Sequence, residues 1–455
     1  MSQSFSCSPD AAEQLRAHFA DQKSRSFIFE CTQYYLPGKP VLALFAALAA
    51  DASGGRPSHY VVISDRVEEA RRLWSGSGES VGDLRRLAGS LSVPLINLSS
   101  ALSLVPVEVA KPWGREIWYT GIEERGQSLV TDGVHAVPLP WLLALGSTEL
   151  LDTGSREPCL LKILDPLPEP VYGDLYFELH REKREVYVVT HVSPDAWPEG
   201  RGAIRFGFDT AVRRRYASDA AFRTAFREAV GRYEQIRREI DARLDDFRRE
   251  EGIELNSPVP AATTKRWAAR LPATLRREEE AARATMDGFT RLLPLKVGDV
   301  VKVPTLTPHA LQHGVRTVEF QTPVYERKIL SFAQKVLTQS HWDTDEAVAL
   351  MEVETREPEP LVTVEKASDY LLEQVVCFDD FEVQRLTLEP GCRFAVPHRD
   401  TYKVIMTVTG SVACGGCRFG PEQAFLLPRC AGDGAVAALG DKPAVLLIAR
   451  PLAPD

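Results

Sequence analysis

The chain is 455 residues long, 44% hydrophobic and 26% charged, with a formal net charge of -9. That length can bury more than one core, so two or three domains are expected. The acidic balance argues against a general nucleic-acid binder, which needs a basic surface to displace counterions. No apolar run approaches the roughly 18 residues that cross a bilayer, so no membrane partner is expected. The N-terminal stretch "MSQSFSCSPDAAEQLRAHFADQKSRSF" lacks the basic start, apolar core and small-residue cleavage site of a secretory signal, and the expected compartment is the cytoplasm. Eight cysteines are scattered without the dense spacing of a disulfide scaffold, which fits reduced thiols.

Residues 1–105 mix two patterns. "AAEQLRAHFADQ" and "VEEARRLW" read as helices, "SHYVVIS" and "SVPLINL" as strands, giving an N-terminal α/β region without an assigned role. "SGSGES" at 75–80 lacks the Lys and the strand-to-helix context of a phosphate loop and reads as a turn. From Pro106 the chain becomes strand-rich, through "EIWYTGI", "AVPL", "CLLKIL", "DLYFELH" and "EVYVVTHV". A helical insertion at about 210–290 follows. Between Ser218 and Gly252, apolar residues from Phe222 to Phe247 recur at steps of three or four, with Ser218 as N-cap and Gly252 as stop. A second helical stretch starts at Thr274, and strands resume at "LKVGDVVKVP".

A Pro and Glu cluster at 357–360 reads as a linker. Beyond it, "FEVQRLTLEPG", "YKVIMTVTGSV", "CRFGPEQAFLLP" and "AVLLIARP" are spaced like the strands of a small barrel or sandwich. Between two of them, "CGGC" (Cys414 to Cys417) reads as a hairpin turn through Gly415 and Gly416, with a metal knuckle as the alternative. His398 stands alone, more in keeping with an ordinary polar residue than with a ligand.

Two segments carry the chemistry. In "YFELHREKREVYVV", Glu178 and His180 lie two apart on a strand and so project from one face; "REKR" can form a turn, after which Glu185 opens the next strand. In "GDVVKVPTLTPHALQHG", His309 comes from a distant strand that a closed barrel would bring to the same lumen. Glu178, His180, Glu185 and His309 supply two carboxylates and two imidazoles, a set suited to one divalent ion: zinc first, with iron, manganese, cobalt or nickel as alternatives. Beyond His309, Thr317, Glu319 and Gln321 share one face of a strand, opposite Val318 and Phe320.

Glu-x-His-x4-Glu, followed downstream by Gly298, Pro304 and His309 in that order, resembles the two cupin motifs. "KPWGREIWY" at Lys111 to Tyr119, "LLKILD" at Leu160 to Asp165, and the run from Gly298 to Arg327 further resemble consecutive landmarks of type I phosphomannose isomerases, the mannose-6-phosphate isomerase family. The resemblance covers roughly 106–455. It implies a mainly β fold with α insertions: a metal-bearing cupin (jelly-roll) barrel at 106–345 carrying the helical insertion, and a degenerate cupin barrel at 346–455. It implies Glu178, His180, Glu185 and His309 as metal ligands, Arg327 or its neighbour Lys328 as the catalytic cation, and a sugar phosphate as small-molecule partner. Lys183 matches the lysine preceding the ligand glutamate in one branch of the family. Where the family has Gln as first ligand this chain has Glu178, and no Pro follows His180.

The implied reaction is aldose–ketose isomerisation by proton transfer through an enediol. In it Glu319 would move the proton, Gln321 would orient a hydroxyl, Arg327 would stabilise oxyanion charge, and Lys183 and Lys111 would meet the phosphate. Trp113 and Trp118 would wall the pocket or belong to the core. Two other classes stay open at the level of sequence: a metal-bearing cupin that binds a sugar without turnover, and a different metal-cupin enzyme such as an iron oxygenase.

Overall fold

The computed structural model describes residues 9–33, 38, 40–53, 57–74, 80–123, 126–146, 158–354, 357–398 and 400–452. The chain is mainly β, with its strands in several antiparallel sheets and a smaller helical content. It forms two compact units, one from 1–107, 118–162 and 360–455, the other from 108–117 and 163–359.

In the first unit a four-stranded sheet (Arg25–Thr32, Val41–Asp51, Ser58–Ser64, Leu95–Asn97) carries helices Pro9–Asp21, Val67–Leu73 and Val81–Leu91. The run Val41–Asp51 is rich in Ala and Leu, good helix formers, yet it is a strand paired on both sides and buried from Leu44 to Ala49. Sheet pairing and burial override local propensity there. Of "SGSGES" only Ser80 lies among the described residues; it caps helix Val81–Leu91 in a reciprocal capping box with Asp83.

The same unit holds a nine-stranded sheet to which the segment 102–138 contributes edge strands. Leu102–Val105 pairs with Ala424–Leu427, so this sheet takes strands from both sides of the 105/106 boundary read from the sequence. A four-stranded sheet completes the C-terminal part, with an apolar core that includes Leu386, Ile405, Phe425 and Leu446. Cys414 and Cys417 pair across a hairpin turn in which Gly415 and Gly416 both have positive φ, 56° and 83°. That is the type I′ pattern, which glycine adopts without strain. Burial pushes the Cys414 thiol up to about 12, which keeps it protonated. His398 is buried, with ring nitrogens 2.9 Å from the Val396 carbonyl and 3.2 Å from that of Ala431.

In the second unit, two antiparallel sheets contribute to one core. One is the five-stranded sheet Thr290–Leu295, Gly202–Phe208, His309–Leu311, Phe177–Leu179, Lys328–Ser331. The other, six-stranded, places Glu185–Val192 between Val300–Val303 and Val315–Gln321. The insertion begins where the sequence places it: Ser218 accepts from the Ala221 N–H and caps a 32-residue helix, Asp219–Glu250. The helix stops at Gly252, whose φ is +68°. Its buried stripe includes Phe222, Phe226, Val230, Tyr233 and Ile240. Phe226 meets Phe208, Phe289 and Phe177, so the insertion packs on the strand that carries Glu178. Helices Ala261–Arg270 and Ala273–Asp287 follow; the first has no counterpart in the sequence reading. The segment 357–360 is tied down on both flanks, Glu357 to Arg291 and Glu359 to Lys302, each at 2.8 Å.

A buried histidine pair sits in the N-terminal part. His18 is 2.9 Å from His59 and 2.6 Å from the Lys23 carbonyl, and Phe19 lies against the His59 ring. Burial, aided by His18, lowers His59 to about 4. A histidine held neutral in the folded state charges more readily when unfolded, so its contribution to stability is present above about pH 6.5 and is lost as pH falls toward 4. The unfolding midpoint is therefore expected to drop between pH 7 and 4.5, and His59→Asn should lessen that drop. An unchanged drop in the variant would show that other groups carry it.

Candidate metal centre

Glu178 and His309 face each other as antiparallel partners on adjacent strands. His180 leaves the first strand at the end of the same three-residue segment, and Glu185 starts a strand of the facing sheet. Glu178, His180 and His309 can each offer a donor atom with all three within 4.8 Å of one another. Glu185 lies against both imidazoles, 3.5 Å from His180 Nε2 and 3.1 Å from His309 Nε2. His180, Glu185 and His309 are at most 2% exposed.

The loops holding these residues are built for it. Gly298 takes φ +91° in the turn Lys296–Asp299, closed by the Asp299 N–H to the Lys296 carbonyl, a position an L side chain resists. Leu306 is left-handed at φ +64°, which costs on the order of 1–2 kcal/mol for a residue with a Cβ. Its N–H donates to the His180 carbonyl at 2.7 Å, and its carbonyl accepts from Glu352 at 2.8 Å. The turn after His180 is clamped by Glu326, whose carboxylate accepts from the Arg181 N–H (2.7 Å) and Glu182 N–H (3.3 Å).

Both histidines are oriented through Nδ1: His180 toward the Glu326 carbonyl at 2.8 Å, His309 toward the Thr307 carbonyl at 3.0 Å. A carbonyl can only accept, so each Nδ1 carries a proton and each ring turns its Nε2 toward the cluster. Burial, with Lys183, lowers the His180 pKa and keeps that ring neutral. His180 Nε2 and Glu178 Oε2 are buried without a hydrogen-bond partner, and His309 Nε2 lies 3.1 Å from a Glu185 oxygen. The buried orphans and the two-nitrogen, two-carboxylate donor set fit a first-row divalent ion.

Glu185 is the electrostatic centre. Burial opposes its charge, but the Lys183 ammonium holds its carboxyl well below the usual carboxylate range. Lys183, itself buried, ion-pairs with it directly. Tyr187, two residues on and therefore on the same face, donates its hydroxyl to Glu185 Oε2 at 2.7 Å. Burial and the adjacent Glu185 and Glu319 raise the Tyr187 pKa well above its ordinary value, so it stays a donor.

The remaining sequence candidates are placed as follows. Glu319 and Gln321 are buried and stand opposite Tyr187 and Glu185 on the neighbouring strand. Val318 and Phe320 are buried too, so this strand has two interior faces. Arg327 lies with a guanidinium nitrogen 4.0 Å from Glu178 Oε2 and its Cζ 4.6 Å above the Tyr176 ring. Burial works against its charge, yet Glu178, Tyr176 and Glu116 together raise its pKa. Lys328 instead pairs with Glu346 at 2.9 Å, so of these two cations Arg327 is the one beside the cluster. Lys111 is engaged by Glu116 at 2.8 Å. Trp113 is 1% exposed among core side chains, which leaves it no surface for a ligand. Trp118 belongs to the other unit, where Lys162 lies over its ring.

No protein-family model matches the chain, and no curated protein matches it by sequence. Solved structures do match. Mannose 6-phosphate isomerase from Bacillus subtilis aligns with a TM-score of 0.53 at 16% identity, covering 77% of this chain and 99% of that one. The fold is phosphomannose isomerase-like. An arginine-to-alanine mutant of phosphomannose isomerase from Salmonella typhimurium (TM-score 0.52, 14% identity) and the apo form of mannose 6-phosphate isomerase from the same organism (0.50, 12%) each cover 76% of this chain and 98% of theirs. At such identities the likeness concerns the fold, and the chemistry rests on the side chains present.

Tyr187 and Glu326 were missed from sequence. Tyr187 could have been found, since it alternates with Glu185 on one strand; Glu326 could not, because its contact with His180 spans 146 residues. Removing the hydroxyl that fixes Glu185, in Tyr187→Phe, should weaken zinc binding about tenfold or more, the usual cost of losing a group that orients a metal ligand. Competition against a chelator reads this directly, and an unaltered affinity would show that Tyr187 does not position Glu185.

Proposed function

We propose that the chain is a metal-dependent aldose–ketose isomerase acting on a sugar phosphate, of the mannose-6-phosphate isomerase type. The observation that carries this reading is the buried cluster of Glu178, His180, Glu185 and His309 with Arg327 beside it, on a phosphomannose isomerase-like fold. Under this reading the four residues hold one divalent ion, zinc being the best match to the donor set. Bound there, such an ion supplies Lewis-acid polarisation of sugar oxygens.

The chain's own groups supply the rest. Glu319, buried on the face shared with Tyr187, is the candidate for moving the proton between C1 and C2. Gln321 keeps a buried carbonyl oxygen without a hydrogen-bond partner, suited to receiving a sugar hydroxyl. Arg327 stabilises oxyanion charge as the enediol forms. Lys183 balances Glu185, and under this reading Lys183 and Lys111 meet the substrate's phosphate. No helix among the described residues is long and apolar enough to cross a membrane.

The finer architecture we propose is two cupin barrels, metal-bearing at 106–345 and degenerate at 346–455. The lack of a three-ligand His/Cys/Asp/Glu group elsewhere among the described residues supports assigning the metal to the first.

Metal-loaded protein incubated with mannose 6-phosphate and related sugar phosphates in deuterated water should incorporate deuterium at C1 or C2. The variant His309→Ala should lose both the metal and the exchange. Full metal content in His309→Ala would sink the site assignment; exchange absent from metal-loaded wild type with every sugar phosphate would sink the isomerase.

A further inference from the structure

The second unit contains a separate pocket of about 210 Å³, walled by the helical insertion together with Val171, Tyr172 and the segment 333–337. None of the metal-cluster residues lines it. Its lining combines two features. One side is apolar, formed by Ile240, Leu244, Trp267, Leu271 and Leu337; the other carries five cations, Arg237, Arg248, Arg276, Arg283 and Lys335, against the carboxylates of Glu279 and Glu280.

Internal pairing does not use up these cations. Arg237 is 6% exposed and gives one nitrogen to Asp241 at 2.6 Å, while its Nε is buried without a hydrogen-bond partner. A guanidinium has five N–H donors, and a buried one left unmade is costly. Arg283 meets Glu279 through Nε alone among the described residues, at 3.3 Å. Lys335 is the exception, taken up by both Asp245 oxygens and the Leu255 carbonyl, while Arg248 donates to the carbonyls of Glu254 and Ser257 and has Asp245 3.8 Å from its Nε. Arg276, exposed at the rim, makes no ion pair among the described residues. A network that served only to pin the insertion would need no open volume beside the orphaned Arg237 donor.

We propose that this pocket is a second ligand site, for a small organic anion whose phosphate or carboxylate meets the arginines while an apolar body lies against Trp267 and the aliphatic wall. An apolar wall with a few convergent charged groups is the usual lining of small-molecule pockets, and this one has room for a small ligand only. The donor geometry favours a planar or tetrahedral oxyanion over a neutral ligand.

The test is calorimetric titration of the full-length, metal-loaded protein with phenyl phosphate, with inorganic phosphate and phenol run separately. Phenyl phosphate should bind saturably and at least tenfold more tightly than either fragment. Arg276→Ala should weaken it severalfold, and Ala268→Trp, which fills the pocket without removing a charge, should abolish it. His309→Ala should leave it unchanged. Because Arg276 is exposed, its variant keeps the test decisive should Ala268→Trp fail to fold. Absence of saturable binding in wild type, or binding lost in His309→Ala and retained in Ala268→Trp, would overturn the proposal.

Discussion

The site depends on one buried carboxylate. Glu185 is 2% exposed, and an isolated carboxylate there would be neutral, because desolvation penalises the charge heavily. It is kept anionic by the Lys183 ammonium and the Tyr187 hydroxyl, with both imidazoles lying against it. Those contacts come from both sheets of the second unit, so the charge cannot be satisfied unless the sheets close over it. A divalent cation at the same point would supply further positive charge.

This constraint accounts for features that otherwise look unrelated. The left-handed Leu306 and the clamp by Glu326 each cost conformational freedom or local strain, and each fixes a loop that ends at a cluster residue. His180 is tied from two directions, its ring by the Glu326 carbonyl and its own carbonyl by the Leu306 N–H. Behind the ligand strand, Phe177 packs on Phe226 of the long helix, so the insertion buttresses the strand bearing Glu178. The insertion thus supports the centre while shaping a pocket of its own.

Much of this was legible in the sequence, for local reasons. A period of two marks strands such as Phe381–Leu388, and a period of three to four marks the helix Asp219–Glu250, because one buried face imposes them. Glu178, His180 and His309 stand out since polar ligands on short strands need neighbours that only a closed β structure provides. What stayed hidden is non-local. The strand Val41–Asp51 carries a composition that favours helix until its neighbours pair with it. The joining of Leu102–Val105 to Ala424–Leu427, and the pairing of Lys328 with Glu346 that leaves Arg327 beside Glu178, are tertiary facts without a local pattern. Trp113, an attractive pocket wall by motif, is placed in the core by the same kind of packing.

The central claim is that Glu178, His180, Glu185 and His309 converge on a single divalent ion. X-ray absorption at the zinc edge of the zinc-loaded protein tests it most directly. One ion per chain, coordinated by two imidazoles with carboxylate or water oxygens and no sulfur, is the result this account predicts. A spectrum with sulfur ligands, or with no imidazole scattering, would contradict it.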